Sequence, residues 1–332
     1  MAYPETQAGG RVLPSAGQAA TDAWAWMRHV LFEPFDLGKW FALGFCAFLA
    51  ELGSGGGGSS FNLGSSGDDG GLHVPDARAV FNFIGEHLAA IVIIGSIVFV
   101  VVCAIVVLFA WLQSRGTFMF LDGVATNQGR VTTPWRVFSR EANSLLVFRL
   151  VVVVAFFAGM GILGGGGAAI AWPYFSRGVG GTFTPILTII VAGVLLCAWV
   201  LAVGLLSTVV TDFCVPIMYR YRVSVVHALQ IVRDMLLPGR IGAFIVFYLL
   251  KIVMAVAGGM VIFALVCLTC CLCCTMMIPF VGGYIAAVVF LPYYVFFRAY
   301  SLCFLAQCDG AWEIRPAMAH GMGRAASGGE DA

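Results

Sequence analysis

The sequence predicts an all-α fold, an integral membrane helical bundle of about six transmembrane helices accompanied by three interfacial amphipathic helices. The first observation is composition: 61% of the 332 residues are hydrophobic and only 11% are charged, too few to give a soluble domain a wetted surface. The second is a series of long apolar runs, each near the roughly 20 residues that cross a bilayer. The third is that arginines are concentrated in alternate connections between those runs.

Six apolar runs are predicted to span the membrane, and they cover about residues 37–53, 89–112, 144–171, 185–211, 241–267 and 276–304. The first run is the shortest, and the second contains no charged residue. The third includes the glycine run Gly164–Gly167, and the fifth contains Lys251. The runs are close to the length that a helix needs to cross a hydrocarbon core of about 30 Å.

Basic residues indicate the orientation of the predicted spans, because Lys and Arg near membrane segments stay on the cytoplasmic side. Fifteen of the eighteen lie towards the two ends of the chain or in the second-to-third and fourth-to-fifth connections. Only Arg78 and Arg177 fall in the opposite connections, and Lys251 falls inside a span. We therefore expect a protein of the cytoplasmic (inner) membrane with both termini in the cytoplasm.

A single membrane domain is expected over residues 21–305, between a disordered cytoplasmic tail at 1–20 and a second cytoplasmic tail at 306–332. Its segment 53–74 is rich in glycine and serine, which is typical of a flexible loop. This loop joins the first two predicted spans on the extracytoplasmic side, away from most of the arginines.

Each pair of spans is preceded by a short amphipathic stretch, which predicts three interfacial helices and an imperfect internal repeat. In the first stretch, Thr21-Asp22 offers an N-cap, and Trp24, Met27 and Leu31 follow at helical spacing. Such helices suit the headgroup boundary of a membrane, which is the position we favour; the alternative is that they pack against the bundle as core helices.

The other two stretches have the same design. Thr133-Pro134 supplies the cap and the first-turn proline of the second, and its apolar stripe comprises Trp135, Phe138, Ala142 and Leu145. Ser224 is the expected cap of the third, and its stripe comprises Val225, Leu229, Val232 and Leu236.

Five arginines are the candidate contacts for lipid headgroups, namely Arg115, Arg136, Arg140, Arg220 and Arg233. Guanidinium groups hold phosphates well, and the cytoplasmic leaflet is anionic. The same ring of charge also follows from the rule that places basic residues inside. The predicted partners are membrane lipids and, as an open possibility, a partner membrane protein. No nucleic acid is expected, because the net charge is only +1.

Lys251 is the candidate intramembrane polar site, because a charge within a span is costly enough to indicate a function. It can pair with a carboxylate at the end of another span, such as Glu51 or Asp212, or it can line a polar cavity. Asp122 and Asp212 are themselves expected to form helix-end salt bridges with Arg115 and Arg220. The run Gly164–Gly167 favours close packing or the end of a span, with an unwound transporter helix as the alternative.

Five cysteines cluster after the fifth span, at Cys267, Cys270, Cys271, Cys273 and Cys274. Thiolates at this spacing can hold a soft metal or form disulfides. Adjacent helical residues point about 100° apart, however, and free cysteine packs as a small apolar side chain. We favour packing, so no metal and no cofactor is predicted, and the redox state of the cluster is left open.

Several segments carry a resemblance to a known family: Ser114–Asp122, Asn127, Pro134-Trp135, Asn143, Phe148-Arg149, Asp212–Tyr219 and Phe296–Ser301. Together they resemble an uncharacterised prokaryotic multi-pass membrane protein family, a domain of unknown function. Its architecture is akin to the membrane domain attached to some glycerophosphodiester phosphodiesterases. The resemblance implies the fold and brings no established activity or ligand.

Catalysis is not expected, because the five histidines lie outside the predicted spans and neither His-Glu-x-x-His nor Gly-x-Ser-x-Gly occurs. The sequence favours a non-catalytic scaffold or accessory subunit that binds lipids or a partner protein. The alternative is a transporter or channel subunit with Lys251 near its path, and a lipid-modifying enzyme ranks third.

Overall fold

Helices make up nearly all of the structure, a computed structural model that describes residues 14–52, 77–129, 131–177, 183–236, 238–268 and 281–308. No strand occurs in this part of the chain, so the all-α prediction is confirmed. The predicted loop at 53–74 and most of both predicted tails lie outside the described residues.

The described helices, in chain order, are α1 (Ala16–Phe32), α2 (Leu37–Glu51), α3 (Ala77–Thr126), α4 (Thr132–Val137), α5 (Ser139–Met160), α6 (Gly166–Arg177), α7 (Phe183–Val209), α8 (Val215–Tyr221), α9 (Val225–Ile231), α10 (Ile241–Leu268), α11 (Val281–Val289) and α12 (Leu291–Cys308). Wider π-helical turns at Gly161–Gly165, Val210–Cys214 and Val232–Leu236 continue α5, α7 and α9.

Four helical segments are long and apolar enough to cross a membrane: Val92–Thr126, Ser139–Ile170, Ile186–Tyr221 and Ile241–Leu265. They correspond to the second to fifth predicted spans. Helices α11 and α12 meet at an angle of 64° and make a fifth candidate if they are taken as one broken span. The described residues therefore give four or five candidates instead of six. Helix α2 has only 15 residues, a length of about 22 Å.

Helix α1 begins at Ala16, five residues before the predicted start. Its cap is Ser15, whose hydroxyl accepts a hydrogen bond from the Gln18 amide at 3.4 Å. The expected cap, Thr21, lies inside the helix and donates its hydroxyl to the Gln18 carbonyl. The chain before Thr21 is thus partly helical, because a second capping residue lies upstream.

The buried face of α1 differs from the predicted stripe by one tryptophan. Met27 and Leu31 are buried as expected, but the Trp24 side chain is 57% exposed. Trp26 is the buried tryptophan, and small residues such as Ala19 and Ala23 complete the face that packs against α12. The helix is therefore a core element of the bundle.

The second predicted interfacial helix is not separate from its span. Helix α4 ends at Val137, and α5 begins at Ser139 and continues to Met160. Its predicted apolar residues Phe138, Ala142 and Leu145 are nevertheless buried. In the third stretch, α9 starts directly after Ser224, and Val225, Val232 and Leu236 of its stripe are buried.

Buried side chains concentrate at one end of the long helices. In α3 the buried apolar residues lie between Phe118 and Val124, whereas Val92–Leu108 presents exposed apolar side chains. At the buried end, the Phe247 and Tyr300 rings stack with centroids 4.5 Å apart and join α10 to α12. The opposite ends of the helices therefore have apolar faces that a membrane could cover.

Glycines permit close approach at some positions only. A Cβ at Gly116 would lie 2.6 Å from the Leu49 carbonyl carbon, so this glycine lets α3 touch α2. In contrast, a Cβ at Gly161, Gly164, Gly165 or Gly166 would meet no atom within 4 Å. The predicted close packing of the glycine run is wrong at Gly164, Gly165 and Gly166, and the first two of its four glycines lie in a π-helical turn.

Candidate functional site

A cavity of about 860 Å³ lies between the candidate spans, next to the buried end of the bundle. Its lining is mainly apolar but includes five charged side chains, and we refer to it as the polar cavity. Helices α2, α3, α5, α7, α10 and α12 all contribute residues to its wall. Its charged lining residues are Glu51, Arg149, Asp212, Lys251 and Arg298. Charges among apolar helices are costly, so this cavity is the strongest candidate for a functional site.

Lys251 forms an ion pair within the cavity. Its Nζ lies 2.5 Å from Asp212 Oδ2, and the two side chains are 20% and 8% exposed. The Ser301 hydroxyl donates a hydrogen bond to the other Asp212 oxygen at 3.1 Å. Two of the sequence alternatives therefore hold together: the lysine pairs with Asp212 and also lines a polar cavity. The expected salt bridge between Asp212 and Arg220 is wrong, because the carboxylate is already turned inwards.

Asp212 reaches its partners from the π-helical turn Val210–Cys214, at the junction of α7 and α8. Such a turn accommodates one more residue than an α-helical turn, and π-turns recur at functional sites. The neighbouring Thr211 carbonyl serves as a hydrogen-bond acceptor for Arg298. The local widening thus supplies both a carboxylate and a carbonyl to the cavity.

Arg298 is the most buried cation of the site, with only 7% of the residue exposed. Its Nη1 donates to the Thr211 carbonyl at 2.7 Å, and its Nη2 is 3.5 Å from the Thr117 carbonyl. Its Nε is buried and has no hydrogen-bond partner among the described residues. A buried donor without an acceptor is destabilising by about 1–3 kcal/mol.

Arg149 is held by two hydroxyl groups of α3. Its Nη1 donates to Ser114 Oγ at 3.3 Å, and its Nη2 donates to Thr117 Oγ1 at 3.2 Å. These hydroxyls donate in turn to the Ala110 and Gln113 carbonyls of α3, at 2.7 and 2.8 Å. Their lone pairs are thereby available to the guanidinium, which fixes the position of Arg149.

Both guanidinium groups converge on one residue, since Arg149 bonds the Thr117 hydroxyl and Arg298 approaches the Thr117 carbonyl. The two cations repel each other, and Glu51 at the end of α2 attracts both. Asp212, the ion-pair partner of Lys251, also attracts Arg298, so three cations face two carboxylates. The charged lining of the cavity therefore has a net charge of one positive unit.

Uncharged groups complete the lining. The polar ones are Gln113, Thr117, Ser207, Thr208, Thr211, Tyr293 and Tyr294. The apolar walls include Val106, Phe109, Val152, Val153 and Ala255. The cavity thus offers hydrogen-bond donors and cations on one part of its surface and hydrocarbon on another.

Arg115, a predicted headgroup contact, is instead bound to the junction of α4 and α5. Its Nη1 donates to the Trp135 carbonyl at 2.7 Å, and its Nη2 donates to Asn143 Oδ1 at 3.4 Å. The guanidinium also lies over the Trp111 and Trp135 rings, 5.4 and 5.5 Å from their centroids. Through these contacts, Arg115 connects α3 to α4 and to the start of α5.

The expected ion pair between Asp122 and Arg115 is also wrong. The Tyr219 hydroxyl donates to Asp122 Oδ1 at 2.7 Å and so joins α8 to the end of α3. Tyrosine rather than arginine is the partner because Arg115 is occupied by the α4–α5 junction.

The other four predicted arginines, Arg136, Arg140, Arg220 and Arg233, are exposed and do not line the cavity. Arg233 donates to Asp234 Oδ1 at 2.7 Å, and this hydrogen bond lowers the pKa of Asp234. The structure therefore separates the predicted headgroup arginines from Lys251.

The cysteine cluster is described at one position only. Cys267 is an exposed free thiol, and Cys270, Cys271, Cys273 and Cys274 lie outside the described residues. Within the described ranges, no group of three or more His, Cys, Asp or Glu side chains is arranged to hold a metal ion.

Arg149 and Arg298 are not identified as site residues from the sequence, because both are assigned to the cytoplasmic side. The signal was their position: Arg149 lies within the predicted span 144–171 and Arg298 within the predicted span 276–304. A charge within a span indicates an inward-facing polar site, as it did for Lys251.

Comparison with known proteins identifies a family. Residues 14–284 match the model of a protein family described as a family of unknown function, DUF7544. No curated protein and no solved structure matches the chain significantly. The chemistry of the cavity is therefore the basis for a functional conclusion.

Proposed function

Since this chain belongs to DUF7544, a family of unknown function, we propose its role from its own chemistry: it is a non-catalytic integral membrane protein that binds a membrane amphiphile in the polar cavity. The cavity carries this proposal, because charged and hydroxyl-bearing side chains beside apolar walls suit a ligand with a polar head and an apolar tail. Its volume of about 860 Å³ falls within the range of about 300–1,000 Å³ that is usual for small-molecule sites.

In this proposal the protein is a scaffold or an accessory subunit rather than an enzyme. A lipid held between the helices would stabilise one arrangement of the bundle, and that arrangement would present a defined surface to a partner membrane protein. The exposed Arg136 and Arg140 support the proposal, because they would add contacts to headgroups of an anionic leaflet.

The proposal includes six crossings of the cytoplasmic membrane with both termini inside, an architecture akin to the membrane domain of some glycerophosphodiester phosphodiesterases. The four long candidate spans and the bent pair α11–α12 support five of these crossings. Helix α2, about 22 Å long, would make the sixth, and it is shorter than the bilayer's hydrocarbon core of about 30 Å. A green fluorescent protein fused to the carboxyl terminus should fluoresce; a dark fusion of a well-expressed protein would place that terminus outside.

A cavity-filling variant tests the amphiphile proposal. Gly204 lines the cavity, and a Cβ there would meet no atom within 4 Å, so Gly204→Phe places a large side chain at the cavity wall with space for its Cβ. Gly193→Phe is the matched control, because it lies on the same helix, is equally open and does not line the cavity.

Native mass spectrometry of each protein, released from mild detergent, gives the readout. We expect the wild type and Gly193→Phe to retain phospholipid, and Gly204→Phe to lose most of it. Equal lipid retention by Gly204→Phe and the wild type would contradict the proposal.

A transporter is the second candidate, and the Lys251–Asp212 pair favours it, because ionisable groups within membrane segments mark ion pathways. The test uses proteoliposomes that contain a pH-sensitive or voltage-sensitive dye. Transport predicts a dye response for the wild type that Lys251→Met abolishes while the protein remains folded. A scaffold predicts no response from either protein.

A further inference from the structure

Arg149 and Arg298 form a second cationic centre in the cavity, distinct from the Lys251–Asp212 pair. We propose that this centre binds the phosphate of an anionic phospholipid, so that the phosphate is held by the two guanidinium groups and the acyl chains lie along the apolar walls. This inference rests on the proposed function and specifies the class of amphiphile.

The charges support an anionic ligand. The two guanidinium groups repel each other, and Glu51 attracts both. Asp212 also attracts Arg298 but forms its ion pair with Lys251, so the three cations of the cavity face only two carboxylates. One more negative charge would balance the charged lining. A zwitterionic headgroup would bring its own cation into a cavity that already has an excess of positive charge.

Hydrogen bonding points to the same ligand. Arg298 is more than nine-tenths buried and lines the cavity, yet its Nε has no acceptor among the described residues. Its Nη1 and Nη2 are already directed to the Thr211 and Thr117 carbonyls, which leaves Nε as the donor without a partner. Buried donors are nearly always satisfied, so an acceptor oxygen of a ligand is expected there.

The geometry suits phosphate in particular. Both guanidinium groups approach Thr117, Arg149 at its hydroxyl and Arg298 at its carbonyl, so they lie within a few ångströms of a common point. A phosphodiester has two non-bridging oxygens that carry its charge, and each can accept from a different arginine. Arg149 is prepositioned by Ser114 and Thr117, which reduces the ordering that binding requires.

The surroundings accommodate the acyl chains. Val106, Phe109 and Val152 line the cavity beside the cations, and α3 continues away from it with exposed apolar residues such as Val98 and Val101. A ligand with a phosphate and no tail would leave these apolar walls uncovered.

The experiment measures lipid binding to the full-length protein, delipidated in a neutral detergent. Dioctanoyl phosphatidylglycerol, dioctanoyl phosphatidylcholine and inorganic phosphate are titrated separately, with bound ligand counted by native mass spectrometry. We expect phosphatidylglycerol to bind at least about tenfold more tightly than phosphatidylcholine, because both carry the phosphate but only choline adds a cation to a lining that already has an excess of positive charge. Equal binding of the two lipids would overturn the inference.

Variants locate the site. Arg149→Gln should weaken phosphatidylglycerol binding about tenfold, whereas the double variant Arg136→Gln/Arg140→Gln, on exposed positions outside the cavity, should leave it unchanged in micelles. The reverse pattern would place the anion at the surface arginines and overturn the inference. Should Arg149→Gln fail to fold, the comparison of the two lipids on the wild type decides.

The remaining outcomes separate the two proposals and the two sources of phosphate. Displacement of phosphatidylglycerol by millimolar inorganic phosphate would support the phosphate site and assign it to the free anion, whereas no displacement supports the lipid. If Gly204→Phe loses both lipids but the wild type binds them equally, only the phosphate inference fails. If Gly204→Phe binds both as the wild type does, the proposed function fails as well.

Discussion

Replacement of Lys251 by methionine should destabilise the protein by about 3 kcal/mol, because it leaves the Asp212 carboxylate buried without its counter-ion. Asp212 is 8% exposed and would keep only the hydrogen bond from Ser301. Breaking a buried pair is destabilising by about 3–5 kcal/mol. The lower end applies here, since Lys251 is 20% exposed and faces a cavity that water can enter.

A double-mutant cycle isolates the ion pair from other effects of the substitution. Asp212→Asn alone should destabilise the protein by about 2–3 kcal/mol, because it leaves an unpaired ammonium. The double variant Lys251→Met/Asp212→Asn should be destabilised by only about 1 kcal/mol, since no charge is left buried and the asparagine oxygen still accepts from Ser301. We therefore expect the two single effects to exceed the double effect by at least about 2 kcal/mol.

The assay is unfolding by sodium dodecyl sulfate in mixed micelles, followed by tryptophan fluorescence. Lys39→Met is the matched control, because Lys39 donates to the Pro34 carbonyl and to Asn127 Oδ1, both uncharged acceptors. Its loss should be destabilising by less than about 1 kcal/mol. The reasoning is refuted if Lys251→Met and Lys39→Met have the same effect, or if the two single effects simply add.

Three further results are expected. Gly116→Ala should destabilise the protein by about 1–3 kcal/mol in the same assay, because its Cβ would overlap the α2 backbone, whereas Gly95→Ala, in open space, should be neutral or slightly stabilising. Tyr219→Phe should be destabilising by about 1.5–3 kcal/mol, because it removes a hydrogen bond to the carboxylate at the end of α3; no change would show that this bond is not formed. Arg136→Gln/Arg140→Gln should reduce the fraction of purified, unreconstituted protein that floats with phosphatidylglycerol vesicles. The fraction that floats with phosphatidylcholine vesicles should be unaffected.

The helices could be predicted from the sequence because the length of an apolar run can be counted directly along the chain. The charge-free run 89–112 lies within α3, and the run 241–267 lies within α10. The first and last spans were harder, since α2 stops at Glu51 and a bend of 64° separates α11 from α12. The number of crossings depends on such breaks, which composition does not encode.

The site could be predicted only in part, because the packing of the helices in three dimensions determines which side chains contact each other. Lys251 was recognisable as an isolated charge in an apolar run, and Asp212 was one of its two foreseeable partners. Arg149 and Arg298 are 149 positions apart in the chain and meet only because both approach Thr117. Nothing in their spacing signals that meeting.

The π-helical turn at Val210–Cys214 changes the phase of a continuous helix. Before the turn, α7 has exposed apolar residues, such as Leu201 and Leu205. After the turn, Ile217 and Met218 of α8 are buried in the core. Loss of one residue would restore an α-helical turn and rotate all that follows by about 100°. Asp212 and Tyr219 could then no longer both face their partners, so chain length between positions 204 and 219 is under stricter constraint than side-chain identity.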